Sequence, residues 1–113
     1  MKTNADIHVG DVVVCRNNFF IVVYRRQEDA VLCPLVVASD LSHRADLPLN
    51  LGDIADANLP VANMRVRAVP CLRRYLSLAR IGCTRPSCLA RIRERLRTEM
   101  AQSDRTSAWP RGL

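Results

Sequence analysis

Residues 10–24 read Gly-Asp-Val-Val-Val-Cys-Arg-Asn-Asn-Phe-Phe-Ile-Val-Val-Tyr, and this stretch decides the fold. Two runs rich in β-branched and aromatic residues flank Arg16-Asn17-Asn18, a pattern typical of two strands joined by a tight turn. Asn accepts the left-handed backbone that such turns need. The sequence therefore predicts a β-hairpin near the N-terminus.

Three more short apolar runs predict further strands, at residues 30–37, 47–51 and 61–69. We expect Pro34 at an edge or a bulge of the sheet, because proline has no N–H to donate. In the last run, Arg65 and Arg67 alternate with apolar residues, so one face of the strand is apolar and the other presents arginines. Residues 71–79 fit a helix and a strand equally well.

A C-terminal helix is predicted over about residues 84–101, with Thr84 as its cap. Leu89, Ile92, Leu96 and Met100 recur at the spacing of one helical face. Many short strands followed by one helix favour a mainly β domain, a small barrel with the helix over one opening. The domain is expected to span residues 1–102, with a loose tail at 103–113.

Charge is distributed unevenly along the chain of 113 residues, whose formal net charge is +6. Residues 1–64 carry five Lys or Arg against eight acids, whereas residues 65–113 carry twelve Arg against three acids. A basic half of this kind is typical of proteins that bind nucleic acid or an acidic protein. A solvated, arginine-rich helix face is the alternative interpretation.

No run of residues is apolar enough for a membrane span, and the N-terminus is too polar for a signal peptide, so we expect a cytoplasmic protein without membrane contact. The five cysteines, an odd number, are expected to be reduced. Cysteine and histidine follow no metal-binding spacing, and neither a metal nor another cofactor is expected.

The order of these elements resembles the MazF/PemK/Kid toxin family over residues 9–101. The matching segments are Gly10-Asp11-Val12-Val13, Cys33-Pro34-Leu35-Val36, Val66-Arg67-Ala68-Val69-Pro70, and Ile81-Gly82 before the helix. The resemblance implies an SH3-like barrel, a homodimer, and either RNA or an acidic antitoxin protein as the partner. Many members of the family are metal-independent endoribonucleases, so the resemblance also implies this activity.

The positions that carry the family's chemistry differ in this chain. The threonine after Pro-Leu is Val36, which has no hydroxyl, and an Arg/Asp pair of the Kid branch falls near Ala62 and Met64. RNA cleavage needs a base, an acid and cations for the developing charge. We therefore predict Arg16, Ser39 and His43 as the catalytic candidates: Arg16 for charge, Ser39 for the hydroxyl and His43 for proton transfer. A surface role for His43 is the alternative.

Arg65 and Arg67 are the predicted RNA-binding residues, because two guanidinium groups on one strand face can bind phosphates bidentately. A salt bridge within the fold, to the loop of Asp53 and Asp56, is the alternative role.

Three functions stay open on these observations: a toxin-type endoribonuclease, a non-catalytic barrel relative that binds a protein or nucleic acid as the CcdB branch does, and a small nucleic-acid-binding regulator. We place the toxin-type protein first.

Overall fold

The computed structural model describes residues 7–37, 44–49, 52–53 and 64–103. These residues form seven strands, a 3-10 helix at Tyr75–Ser77 and a C-terminal helix α1 at Pro86–Ser103. The strands are β1 (Asp11–Cys15), β2 (Asn18–Arg25), β3 (Asp29–Val37), β4 (Asp46–Pro48), β5 (Met64–Arg67), β6 (Cys71–Arg74) and β7 (Ala79–Cys83). The prediction of a mainly β chain with a C-terminal helix is confirmed.

The seven strands form one antiparallel sheet in the order β4-β5-β3-β2-β1-β7. Strand β6 pairs with β3 outside this order, so β5 and β6 share one edge of β3 while β2 takes the other. Among the described residues, β4 and β7 end the order without pairing with each other. The sheet is therefore open in this part of the chain.

The predicted hairpin is confirmed as β1 and β2, joined by Arg16 and Asn17 alone. Cys15 pairs with Asn18, and the two turn residues have φ angles of 51° and 69°. Two consecutive positive φ angles are typical of a type I′ turn, which matches the twist of the flanking strands. The turn therefore places the Arg16 side chain at one end of the sheet.

Pro34 is not at an edge of the sheet as predicted, since it pairs with Phe20 inside the central strand β3. On the opposite edge of β3, residues 29–32 pair with β6 and residues 35–37 pair with β5. Pro34 therefore lies at the junction of two partner strands, where a missing N–H is tolerated.

Both faces of the sheet bury apolar side chains. The face that packs on α1, here the helix face, includes Val12, Ile21 and Val66 together with Ile92 and Leu96 of the helix. The opposite face, here the far face, includes Val13, Phe20, Val22 and Leu32 and is covered by Ile7, Tyr75 and Leu78. Burying each large aliphatic side chain contributes about 1.5–3 kcal/mol. Most apolar residues between Val12 and Val23 thus belong to the core of a single chain, whereas Val14 is only half-buried.

Helix α1 begins at Pro86, two residues later than predicted, and Arg85 precedes it where Thr84 was expected, with its carbonyl accepting from the N–H of Leu89. Thr84 contacts Gly10. Its hydroxyl and its backbone N–H both donate to the carbonyl oxygen of Gly10, at 2.9 and 2.8 Å. Gly10 has a φ of 93°, which an L side chain rarely adopts. The predicted apolar stripe of the helix is confirmed, with Ile92 and Leu96 fully buried.

Within the described residues, no helix is both long and apolar enough to cross a bilayer. The predicted tail at 103–113 starts one residue too early, since Ser103 ends α1. The rest of that tail and two candidate catalytic residues, Ser39 and His43, lie outside the described residues.

Candidate functional site

Many arginines of the basic half are ion-paired within the fold. Between positions 65 and 97, at least six arginines contact a carboxylate of the described residues: Arg65 and Arg67 with Asp46, Arg80 with Asp11, Arg91 with Asp53, Arg95 with Glu99 and Arg97 with Glu94. Arg93 instead donates two hydrogen bonds to the carbonyl of Val23. Much of the positive charge seen in the sequence is therefore neutralised locally.

Arg65 and Arg67 share a face of β5, as the alternation predicts, and they share one carboxylate. Asp46 lies at 2.8 Å from Nε and 3.2 Å from Nη2 of Arg67, and at 3.3 Å from Nε of Arg65. The aspartate side chain is 6% exposed, and the two arginines are 18% and 25% exposed. A carboxylate partner of Arg65 and Arg67 is therefore Asp46 of β4. Asp53, which the sequence suggested for this role, contacts Arg91.

A cleft of about 220 Å³ lies at the end of the sheet beside the β1–β2 turn. We call it the turn cleft, and its walls are Cys15, Arg16, Asn18, Phe20, Arg73 and Ser77. The type I′ turn presents Arg16 from one side, and β6 with the 3-10 helix presents Arg73 and Ser77 from the other. Because Arg73 pairs with Ala30 of the far face, this cleft opens away from α1.

Arg73 lies over an aromatic ring in this cleft. Its guanidinium carbon is 5.8 Å from the centre of the Phe20 ring, and its Nη1 donates to the carbonyl oxygen of Leu72 at 2.7 Å. Phe20 is 6% exposed, whereas Arg73 is exposed. The guanidinium therefore lies over the ring and is itself exposed to solvent.

The turn cleft carries positive charge that the described part of the chain does not neutralise. In residues 7–37, 44–49, 52–53 and 64–103, the Arg16 side chain has no hydrogen bond or ion pair, and Arg73 has no carboxylate partner. The Asn18 amide and the Ser77 hydroxyl add neutral hydrogen-bonding groups. This arrangement is suited to binding an anion such as a phosphate group.

Among the described residues, those that line the turn cleft include neither a carboxylate nor an imidazole. Val36, which has no hydroxyl, pairs with Arg65 and is half-buried. The cleft can therefore stabilise negative charge, but its own lining supplies no strong general base. A proton-transfer role for Ser39 or His43 stays a prediction.

Two buried cysteines, Cys33 and Cys88, are unsuited to nucleophilic chemistry. Burial raises the pKa of the Cys33 thiol to about 12 and that of Cys88 to about 11. Their thiolate fraction is very small near neutral pH. The described residues also contain no cluster of three or more metal-ligating side chains.

The sequence pattern indicates Arg16 as a site residue but not Arg73 or Ser77. Their place depends on the pairing of β6 with β3, which brings residues 71–77 beside a turn far away in sequence. Two adjacent arginines, Arg73 and Arg74, in the stretch that fitted both helix and strand were the available signal.

None of the protein-family models, curated proteins and solved structures with which the chain was compared matches it. Function is therefore argued from the turn cleft and from the sequence resemblance alone.

Proposed function

We propose that this chain binds single-stranded RNA, with the sugar-phosphate backbone held at the turn cleft by Arg16 and Arg73. The observation that carries the proposal is that two arginines without a described carboxylate partner line one cleft, while at least eight of the other described arginines are ion-paired. Guanidinium groups bind phosphate oxygens bidentately and retain their charge at all physiological pH values.

The dimensions of the cleft favour a single strand over a duplex. A volume of about 220 Å³ is small for a ligand site and admits one nucleotide unit rather than two paired strands. The resemblance to the MazF/PemK family favours RNA over DNA. The same resemblance supports an SH3-like barrel and a homodimer as parts of this proposal.

A toxin-type endoribonuclease is the second candidate function. It is favoured by the position of Arg16, which could stabilise the charge that develops on a scissile phosphate. It also requires a base from outside the cleft lining, and His43 is the predicted source. The non-catalytic alternative requires binding only.

The binding proposal is tested by fluorescence anisotropy with a short, fluorescent, mixed-sequence RNA at several salt concentrations. For single strands, each neutralised phosphate contributes about 0.7 to the slope of log K against log salt. Arg16→Gln and Arg73→Gln are each expected to weaken binding and reduce this slope by about 0.7. Arg97→Gln removes the same charge from the exposed face of α1, where Arg97 pairs with Glu94, and is the matched control.

Equal binding by the wild-type protein and both cleft variants would contradict the proposal, as would the absence of RNA binding at low salt. A DNA strand of the same sequence tests the preference for RNA. Two experiments distinguish an endoribonuclease from a non-catalytic RNA-binding protein: incubation with a mixed RNA pool and inducible expression in bacteria. Cleavage and growth arrest that depend on Arg16 would support the nuclease, and binding without either would support the non-catalytic form.

A further inference from the structure

We infer that the Arg73 guanidinium, supported from beneath by the Phe20 ring, is a stacking platform for one unpaired nucleobase. This inference rests on the proposed function and specifies it: the ligand must offer a free base beside a phosphate, which a bare phosphate group or a paired duplex does not.

Two contacts bear on the orientation of the Arg73 guanidinium. The Phe20 ring lies 5.8 Å from its central carbon, and the carbonyl oxygen of Leu72 accepts a hydrogen bond from Nη1 at 2.7 Å. These two contacts favour one orientation of an otherwise exposed side chain.

Only one face of the guanidinium is covered by the ring. Phe20 is buried, whereas Arg73 is exposed and contributes to the cleft wall. Unpaired bases in RNA complexes stack on aromatic rings and also on arginine planes. A base that enters the cleft would stack on the exposed guanidinium, which lies within cation–π distance of the Phe20 ring.

The other cleft residues fit the remaining parts of a nucleotide. Arg16, on the opposite wall, is a partner for the adjoining phosphate. Asn18 and Ser77 offer both donors and acceptors to the edge of a base. Stacking tolerates every base, so the platform is expected to select unpaired bases without strong sequence preference.

The test compares two RNAs of equal length, one with normal bases and one with abasic riboses, in the same anisotropy assay. Arg73→Lys keeps the charge but removes the plane. We expect this variant to bind the base-bearing RNA about tenfold more weakly. The abasic RNA is expected to lose clearly less affinity, because Lys keeps the charge and weakens only the bidentate phosphate contact. Arg74→Lys, at the next residue of β6 and outside the cleft lining, is the matched control and is expected to bind both RNAs normally.

Two results would overturn the platform while leaving the proposed function intact: unchanged binding of both RNAs by Arg73→Lys, or an equal loss for both. Absence of RNA binding by the wild-type protein would instead overturn the proposed function. Phe20→Leu is a second variant, expected to weaken base-dependent binding because it removes the supporting ring. Its thermal unfolding establishes that the variant is folded before binding is measured.

Discussion

Arg16 occupies a backbone conformation that suits it poorly, which predicts opposite effects on stability and on binding when it is replaced. Its φ of 51° lies in the left-handed region, where an ordinary L residue costs about 1–2 kcal/mol. Asn is favoured at the first position of a type I′ turn. Because the Arg16 side chain has no hydrogen bond or ion pair within the described residues, Arg16→Asn loses little and is expected to raise the free energy of unfolding by about 0.5–1 kcal/mol.

Thermal unfolding followed by circular dichroism measures this gain, which corresponds to an increase of about 2–6 °C in Tm. The same variant is expected to bind RNA more weakly, because it loses one phosphate contact. Asn17→Gly is the matched control: it relieves the second turn position, whose φ is 69°, without changing charge, and should stabilise the fold while binding normally. A lower Tm for Arg16→Asn would refute the reasoning, since it would mean that the arginine stabilises the fold.

Three further predictions concern the fold that supports the cleft. Asp46→Asn leaves two guanidinium groups without their shared carboxylate and is expected to lower the free energy of unfolding by about 3 kcal/mol; a urea midpoint equal to that of the wild type would contradict this role. Gly10→Ala is expected to lower the free energy of unfolding, measured in urea, by about 1–2 kcal/mol because of the φ of 93°; crowding is not the cause, since a Cβ there lies 3.6 Å from its nearest neighbour. An unchanged urea midpoint would contradict this. The free energy of unfolding is expected to fall as pH rises above 9. Burial raises the pKa of Cys33 to about 12 and that of Cys88 to about 11, whereas unfolded thiols ionise near 9. Above pH 9 the unfolded state therefore binds fewer protons than the folded state, and each thiol lowers the free energy of unfolding by about 1.4 kcal/mol per pH unit up to its folded pKa. Urea midpoints across this pH range test the trend, which Cys33→Ala should reduce, and a flat profile would contradict it.

Local sequence patterns predict the elements whose determinants are close together in the chain. The β1–β2 hairpin follows from Arg16-Asn17-Asn18 between two apolar runs, and the buried side of α1 follows from Ile92 and Leu96 at helical spacing. The shared face of Arg65 and Arg67 likewise follows from strand alternation.

Long-range pairing explains what the sequence patterns did not predict. Pro34 was expected at an edge because its missing N–H is a local property, but the junction of β5 and β6 that tolerates it depends on two separate pairings with β3. Thr84 was expected to cap α1, but its hydroxyl donates a hydrogen bond to the carbonyl oxygen of Gly10, which is 74 residues away in sequence. The contact between Phe20 and Arg73 also depends on tertiary pairing, so no local pattern encodes it.

The most direct measurement of the central claim is a titration of the protein with single-stranded RNA, followed through the arginine Nε–H signals in a ¹H–¹⁵N NMR spectrum. If RNA binds at the turn cleft, the signals of Arg16 and Arg73 shift first and furthest, while that of Arg97 on the exposed face of α1 stays in place. Shifts confined to the helix arginines, with Arg16 and Arg73 unchanged, would contradict the account.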